Sequence, residues 1–180
     1  MTAWGGAALA FYAIHAGQHL VRGHPEDLLW ACHLGAVLVG AGILARSATL
    51  NAVGFLWLCL GTTLWAIDLA AGGELIPTSL LTHVGGLAVG GLGVARLGMP
   101  RNAWWKAILA FLVLQQLSRW LTPVETNVNL AFGVASGWED VFSSHLAYLA
   151  LLVGIGAVAF FTIERAARRL LETRHASDCS

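Results

Sequence analysis

Charged residues are scarce in this sequence. Asp, Glu, Lys and Arg make up 11% of the 180 residues, whereas 57% are hydrophobic. A soluble domain carries about 25% charged residues, so the composition excludes an ordinary water-soluble fold and indicates an integral membrane protein. Ten basic and ten acidic residues balance to a net charge of zero. We therefore expect no nucleic-acid partner and take membrane lipid as the expected partner.

Cysteine is rare as well, and its three residues, Cys32, Cys59 and Cys179, form no CxxC pair. A disulfide framework or a zinc knuckle is therefore not expected. The HExxH signature of metalloproteases is absent, and the one HxxxH pair consists of His15 and His19. No sequence motif for a metal or for catalysis is thus complete in itself.

Long polar segments are also missing, and six apolar runs fill most of the chain. A helix needs about 20 apolar residues to cross a bilayer. The runs cover about residues 3–21, 28–45, 50–71, 79–97, 103–121 and 141–163. The sequence predicts an all-α, polytopic bundle of six transmembrane helices over 1–163, followed by a basic cytoplasmic tail at 164–180. The first run has no basic region before it, so we expect a retained helix and not a cleaved signal.

The basic residues predict the orientation of this bundle. Only Arg22 and Arg119 fall on one side of the membrane, and the other eight fall on the opposite side: Arg46, Arg96, Arg101, Lys106, Arg165, Arg168, Arg169 and Arg174. Cytoplasmic loops are enriched in Lys and Arg. We therefore expect both termini in the cytoplasm of a bacterial inner membrane.

Glycines are frequent in two of the runs. Gly35, Gly40 and Gly42 lie in the second run, and Gly86 and Gly90 form a small-xxx-small pair in the fourth. Small residues let membrane helices approach closely. We expect these glycines to serve helix packing.

Polar side chains gather near the outer ends of the runs. Counted at 1.5 Å per helical residue, several lie at similar depth: Cys32, His33, Asp68, His83, Arg119 and His145. Ionisable residues inside a bilayer usually face the bundle interior or a wet cavity, so we expect a site on the outer side. Taken singly, Asp68 could be a solvated helix end and His145 a local cap. We interpret His15 and His19 as interfacial residues.

Residues 122–140, before the last run, mix polar and apolar side chains. We expect this segment to fold over the outer mouth of the bundle as a re-entrant or lid-like element, because non-helical backbone at membrane depth must be covered by protein or water. Glu125, Asn127 and Asn129 could bind a polar head group, or could stabilise the loop.

Several features recur along residues 28–163: Cys32 early in a span, the aromatic pair in Phe55-Leu56-Trp57, Asp68 before a loop, His83, and the segment 126–132. In these features the sequence resembles the YwaF-type bacterial integral membrane proteins. These are distantly similar to the androgen-induced-gene lipid hydrolases and to a transmembrane phospholipid acyltransferase. The resemblance implies intramembrane acyl chemistry, with Cys32 as the nucleophile and His83 as its base.

The leading hypothesis is therefore a membrane-embedded lipid acyl hydrolase or acyltransferase that needs no cofactor. A thiol attacks an ester as its thiolate, which a nearby imidazole can generate. His83 or His145 could take the proton, and Asp68 could orient a histidine. Arg119, Asn127 and Asn129, with Glu125 beside them, could bind the substrate's phosphate or oxyanion.

Two other classes stay open. His33, His83 and His145, with Asp68 or Glu139, offer ligands for a single metal ion or a b-type haem. Alternatively, the protein is a non-enzymatic transporter, a homo-oligomer or a subunit of a membrane complex, since no soluble domain fits its short loops.

Overall fold

The chain folds as an all-helical bundle. A computed structural model describes residues 1–178, with side chains described as far as residue 173. Helix accounts for 79% of the chain, and the described residues contain no strand. The long helices are α1 (Thr2–Arg22), α2 (Ala31–Leu44), α3 (Ala48–Ala70), α4 (Gly86–Leu97), α5 (Ala103–Leu121) and α6 (His145–Asp178). The residues of the predicted tail up to 178 continue α6, and Cys179 lies outside the described residues.

Four short helical segments join these helices. A π-helical segment, Leu81–Gly85, leads directly into α4, and a 3-10 helix, Pro25–Leu29, precedes α2. Two further 3-10 turns, Val124–Thr126 and Val128–Leu130, lie between α5 and α6. The segment before the last helix is therefore neither strand nor long helix.

Two helices are long and apolar enough to cross a membrane, namely Ala48–Ala70 and the stretch His145–Thr173. Length and composition alone support this part of the six-span prediction. Helix α2 has 14 residues, so it rises about 21 Å. It is therefore shorter than a hydrocarbon core about 30 Å thick.

Glycines bring α2 and α3 into backbone contact. A Cβ atom added at Gly54 would lie 2.5 Å from the Gly35 carbonyl oxygen, and one added at Gly42 would lie 2.4 Å from the Asn51 nitrogen. Both positions therefore exclude any larger side chain. The predicted packing role of the glycines in the second span is confirmed at Gly35 and Gly42.

We expect Gly54→Ala to lower the free energy of unfolding by about 1–3 kcal/mol, the typical cost of overpacking a well-packed site. The obstacle is the Gly35 carbonyl, which belongs to the backbone and cannot rotate away. Thermal unfolding in detergent, followed by circular dichroism, measures the effect. Gly6→Ala is the matched control, because no atom lies within 4 Å of a Cβ at that helical position. Equal melting temperatures for the two variants would contradict the packing argument.

Asn129 fastens the segment between α5 and α6 to the start of α2. Its side-chain oxygen accepts a hydrogen bond from the Ala31 nitrogen at 2.9 Å, and its amide donates to the Leu29 carbonyl at 2.7 Å and to Ser118 Oγ at 2.9 Å. The first bond satisfies a free N–H group at the N-terminus of α2. Asn129 is 3% exposed, so its polar atoms are occupied by the protein.

Asn127 organises the same segment locally. Its side-chain oxygen accepts hydrogen bonds from the nitrogens of Phe132 and Gly133, and its amide donates to the carbonyls of Gly133 and Val134. Asn127 and Asn129 both adopt left-handed backbone angles, with φ of 44° and 54°, which Asn tolerates better than most residues. Of the two uses open to these asparagines, the structure shows loop stabilisation.

Glu164 joins α6 to α5 at the opposite end of the bundle. Its carboxylate is buried and accepts hydrogen bonds from the nitrogens of Asn102 (3.0 Å) and Trp104 (2.9 Å). These are the unpaired N–H groups at the start of α5, where the helix dipole also favours a negative charge. A buried carboxylate is thus matched by backbone donors.

Candidate metal centre

Four buried histidines from three parts of the fold meet near the C-terminal end of α1. His15 and His19 are one turn apart on the same face of α1, His33 lies in the first turn of α2, and His83 lies in the π-helical segment. The Nε2 atom of His15 is 3.1 Å from Nε2 of His33 and 3.2 Å from Nε2 of His19. The ring centroids of His33 and His83 are 5.8 Å apart.

The other ring nitrogen of His33 is committed as a donor. Nδ1 of His33 lies 2.7 Å from the carbonyl oxygen of Asp27, and a carbonyl can only accept. Nδ1 therefore carries the proton, and Nε2 of the neutral ring presents a lone pair. Nδ1 of His19 is also a donor, because it lies 3.2 Å from the carboxylate oxygen Oδ2 of Asp27. Nε2 of the neutral His19 ring therefore presents a lone pair as well.

His15 is fixed in the same tautomer by a chain of hydrogen bonds. Thr78 Oγ1 donates its proton to Gln18 Oε1 at 2.5 Å, so towards His15 it acts as an acceptor. Nδ1 of His15, 2.8 Å from Thr78 Oγ1, is then the donor. In the neutral ring, Nε2 of His15 is again the unprotonated nitrogen.

Nε2 of His15 therefore faces the unprotonated Nε2 atoms of both His33 and His19 at hydrogen-bonding distance. Such a contact is repulsive unless a proton or a cation lies between the nitrogens. Nitrogens bound to one tetrahedral metal at 2.0–2.1 Å would be about 3.3 Å apart, close to the 3.1 and 3.2 Å found here. His15, His19 and His33, which we call the three-histidine site, could hold a metal ion.

Asp27 supports this site from behind. Its Oδ2 faces Nδ1 of His19, its Oδ1 accepts from Trp30 Nε1 at 3.0 Å, and its carbonyl accepts from His33. Metal-binding histidines typically donate their second N–H to a carboxylate or a carbonyl, which orients the ring and makes it a better ligand. Asp27 therefore orients two of the rings, His19 through its carboxylate and His33 through its backbone carbonyl.

We expect Asp27→Asn to lower metal affinity by about 10–100-fold, the usual cost of removing such a support. The neutral amide keeps the shape but loses the negative charge beside His19. Titration of the purified protein with Co(II) measures the change. Glu26→Gln is the control, because Glu26 pairs with the exposed His24 instead. Affinities of Asp27→Asn and wild type within twofold of each other would contradict a supporting role.

His83 and Cys32 lie on the other side of His33. The ring of His83 stacks on Trp65, with centroids 4.8 Å apart and planes 9° from parallel, and its Nδ1 lies 3.0 Å from the Ser79 carbonyl. Its Nε2 is buried, with no hydrogen-bond partner among the described residues. Ligand atoms of Cys32, His33 and His83 lie within 4.8 Å of one another. The structure thus brings the predicted pair, Cys32 and His83, together.

Four other candidate residues lie apart from these groups. Asp68, Arg119 and Glu125 are exposed at chain positions near the outer ends of helices. His145, at the start of α6, donates from Nε2 to the Leu130 carbonyl at 3.0 Å. Among the described residues, neither Asp68 nor His145 belongs to a group that could share a metal ion with His33 or His83.

His15 and His19 are the site residues that the sequence argument assigned differently. An interfacial side chain would be exposed, whereas these are 1% and 6% exposed. Their spacing of four residues, which places both on one helix face, was the signal available in the sequence. Thr78 and Asp27, which set the tautomers, carried no separate signal.

A surface ion pair lies next to the site. Arg22 at the end of α1 donates two hydrogen bonds, of 3.0 and 2.8 Å, to the Glu74 carboxylate, and these lower the pKa of Glu74. Both side chains are substantially exposed, and exposed pairs of this kind contribute little to stability. The pair links the C-terminal end of α1 to the loop that follows α3.

Comparison with known proteins adds no assignment. No protein-family model, no curated protein and no solved structure matches this chain. The resemblance to YwaF-type membrane proteins therefore stays a hypothesis.

Proposed function

We propose that this is a metal-binding membrane protein, which holds one transition-metal ion with the Nε2 atoms of His15, His19 and His33. In this proposal six helices cross a bacterial inner membrane, both termini are cytoplasmic, and the site lies in the outer half. The two apolar helices of sufficient length support the membrane location. The distribution of basic residues supports the orientation.

The observation that carries the proposal is the set of acceptors around the three rings. The Asp27 carbonyl, the Asp27 carboxylate and Thr78 Oγ1 each face Nδ1 of one histidine and accept a hydrogen bond from it, which assigns the tautomers. Packing alone would not require every ring to turn its unprotonated nitrogen towards the same point. Three imidazole nitrogens suit zinc, copper or iron, and such a set leaves at least one coordination position open.

The same distances favour a single ion over haem. Two axial nitrogens on opposite sides of a haem iron are on the order of 4 Å apart, since each metal–nitrogen bond is about 2 Å. The 3.1 Å between His15 and His33 is shorter than that. A neighbouring pair of ligands on one ion accommodates it.

Metal analysis tests the proposal directly. The detergent-purified protein is equilibrated with Zn(II) or Co(II), desalted and measured for metal and for a Soret band. We expect one equivalent of metal and no haem spectrum, with binding lost in His15→Ala and in His19→Ala. His24→Ala and His145→Ala are matched controls, since His24 is exposed and His145 bonds to Leu130. Equal metal content in all four variants would overturn the proposal.

A second candidate function is acyl transfer at Cys32, and the bare Nε2 of His83 is the observation that favours it. In this chemistry, His83 takes the thiol proton and the Cys32 sulfur attacks an ester carbonyl. The imidazolium then returns the proton to the departing alcohol, which leaves the acyl group on Cys32 as a thioester that water or a second alcohol cleaves to restore the thiol. A glycerolipid ester, near the head-group boundary, is the substrate class that suits the depth of the pair.

Covalent labelling tests this candidate. An acyl-mimetic electrophile should label Cys32 of the wild type and should label it far more slowly in His83→Ala. Cys59→Ser is the control, because it removes the other described thiol and should leave labelling of Cys32 unchanged. Identical labelling rates in the wild type and His83→Ala would rule out this pairing.

A further inference from the structure

His83 is a buried polar side chain that the three-histidine site does not use. It is 3% exposed, and its ring is held by the Trp65 stack and by the hydrogen bond from Nδ1 to the Ser79 carbonyl. Nε2 is therefore fixed in direction, unprotonated and without a hydrogen-bond partner among the described residues. A buried nitrogen lone pair of this kind is costly unless something binds it.

The backbone around His83 is also unusual. Leu81–Gly85 forms a π-helical turn, a feature that is often found at functional sites. The turn delivers the ring to the interface where α2 begins, within reach of the Cys32 thiol and His33. Cys32 is partly buried and free.

His33 connects this group to the three-histidine site. Its Nδ1 is occupied by the Asp27 carbonyl, so Nε2 is the one nitrogen it can offer to a metal. Nε2 has a single lone pair in the ring plane, which can serve one metal ion at a time. An ion bound with His15 and His19 and an ion bound with Cys32 and His83 would therefore compete for it.

We propose that Cys32 Sγ, His33 Nε2 and His83 Nε2 form a second metal position, which takes a soft monovalent ion, Cu(I), and excludes occupancy of the three-histidine site. Thiolate sulfur selects Cu(I), whereas a set of imidazoles alone suits divalent zinc or cobalt. The competition between the two ions rests on the proposed function, because it requires metal binding at the three-histidine site. The second metal position does not depend on that site.

Binding to this position is a ligand exchange without redox change. The S–H bond of Cys32 breaks, a Cu–S bond forms, and the proton leaves to bulk water. The two histidines each donate the lone pair of a neutral ring. Copper is supplied as Cu(I) and stays Cu(I), so neither an oxidant nor a reductant takes part.

Anaerobic Cu(I) titration against a chromogenic chelator tests the second position. We expect one Cu(I) per chain, and a loss of affinity of at least about 100-fold in Cys32→Ser and in His83→Ala, more than a change outside the ligands usually causes. Cys59→Ser is the matched thiol control and should bind as wild type. His19→Ala should keep Cu(I) binding while losing Co(II). Unchanged Cu(I) affinity in Cys32→Ser would overturn the proposal.

A separate measurement tests whether Cu(I) and zinc exclude each other. Cu(I) added to the zinc-loaded protein should release zinc in a one-to-one ratio, as read by elemental analysis after desalting. Retention of both ions, two per chain, would overturn the shared role of His33. Should Cys32→Ser fail to fold, alkylation of wild-type Cys32 gives the answer: Cu(I) should slow it and Co(II) should not. Equal alkylation rates with and without Cu(I) would contradict the second position.

The outcomes separate this proposal from the previous one. Failure of Co(II) binding with intact, Cys32-dependent Cu(I) binding would remove the three-histidine site and leave the second position. Normal Co(II) binding with no Cu(I) binding would remove the second position and leave the three-histidine site. Fast acyl labelling of Cys32 that Cu(I) does not slow would favour the acyl-transfer candidate instead.

Discussion

Replacing His33 with alanine is expected to weaken Co(II) and Cu(I) binding together, each by at least about 100-fold, beyond the 10–100-fold typical of a change outside the ligands. The reason is that Nε2 of His33 is the nitrogen that both ligand sets require. His15→Ala and His19→Ala should affect Co(II) alone, and Cys32→Ser should affect Cu(I) alone. Loss of both Co(II) and Cu(I) binding from one substitution is thus expected only for the residue that the two proposed metal positions share.

Two further variants keep this result interpretable. His33→Gln fills more of the space left by the ring, so a folded His33→Gln protein that binds neither ion excludes simple collapse of the site. His24→Ala controls for loss of a histidine that is not a ligand, since its side chain is exposed beside Glu26. Retained Co(II) affinity in His33→Ala and His33→Gln would contradict the assignment of His33 as a ligand.

Replacing Asn129 with alanine is expected to produce the largest loss of stability. The change leaves the partly buried Ala31 N–H and Leu29 carbonyl without their hydrogen-bond partner, and an unsatisfied group removed from water costs about 1–3 kcal/mol. We therefore expect about 2–6 kcal/mol in total. Denaturation in mixed detergent, followed by circular dichroism, measures the free energy of unfolding.

Asn129→Gly separates the two contributions of this residue. Glycine adopts the left-handed conformation freely, whereas alanine at φ 54° is strained. Asn129→Gly should therefore lose the hydrogen bonds but not suffer the strain, and should be the more stable of the two variants. Thr126→Ala, which removes an exposed hydroxyl of the same segment, is the control. Wild-type stability in Asn129→Ala would refute the structural role.

The sequence predicted the helices better than it predicted the site. Apolar runs and glycine positions are read from the local chain, so the all-helical fold and the close helix packing at Gly35 and Gly42 could be predicted from them. They did not predict that α3 is the helix packed there. Helix boundaries shifted where tertiary contacts decide them. The sixth run was expected from residue 141, but α6 starts at His145 after the turns that Asn127 and Asn129 stabilise.

The sequence argument named some residues of the site but not all of them. Counting residues from the helix ends placed Cys32, His33 and His83 at one level, and the structure brings these three together. Counting cannot tell which way a helix is rotated. That rotation turns His15 and His19 into the bundle, whereas His145 is drawn to the Leu130 carbonyl.

The tautomers of the three histidines could not be predicted from the sequence for a different reason. They depend on Asp27, inside the 3-10 helix Pro25–Leu29, and on Thr78, which lie 6 and 63 residues away from His33 and His15 respectively. Only the folded chain brings these acceptors to the rings. The same is true of Asn129, whose partners at Leu29 and Ala31 are 100 and 98 residues away.

The π-helical turn at Leu81–Gly85 amounts to a helix with one residue inserted, because its hydrogen bonds span five residues instead of four. An extra residue rotates the chain on one side of the turn by about 100° relative to the other. Here it lets Gly86 and Gly90 pack against Ala36 and Val39 while His83 faces Trp65. Over evolutionary time, insertion or deletion of a single codon at this turn would therefore turn His83 towards or away from Trp65 and Cys32 without mutating any of these residues.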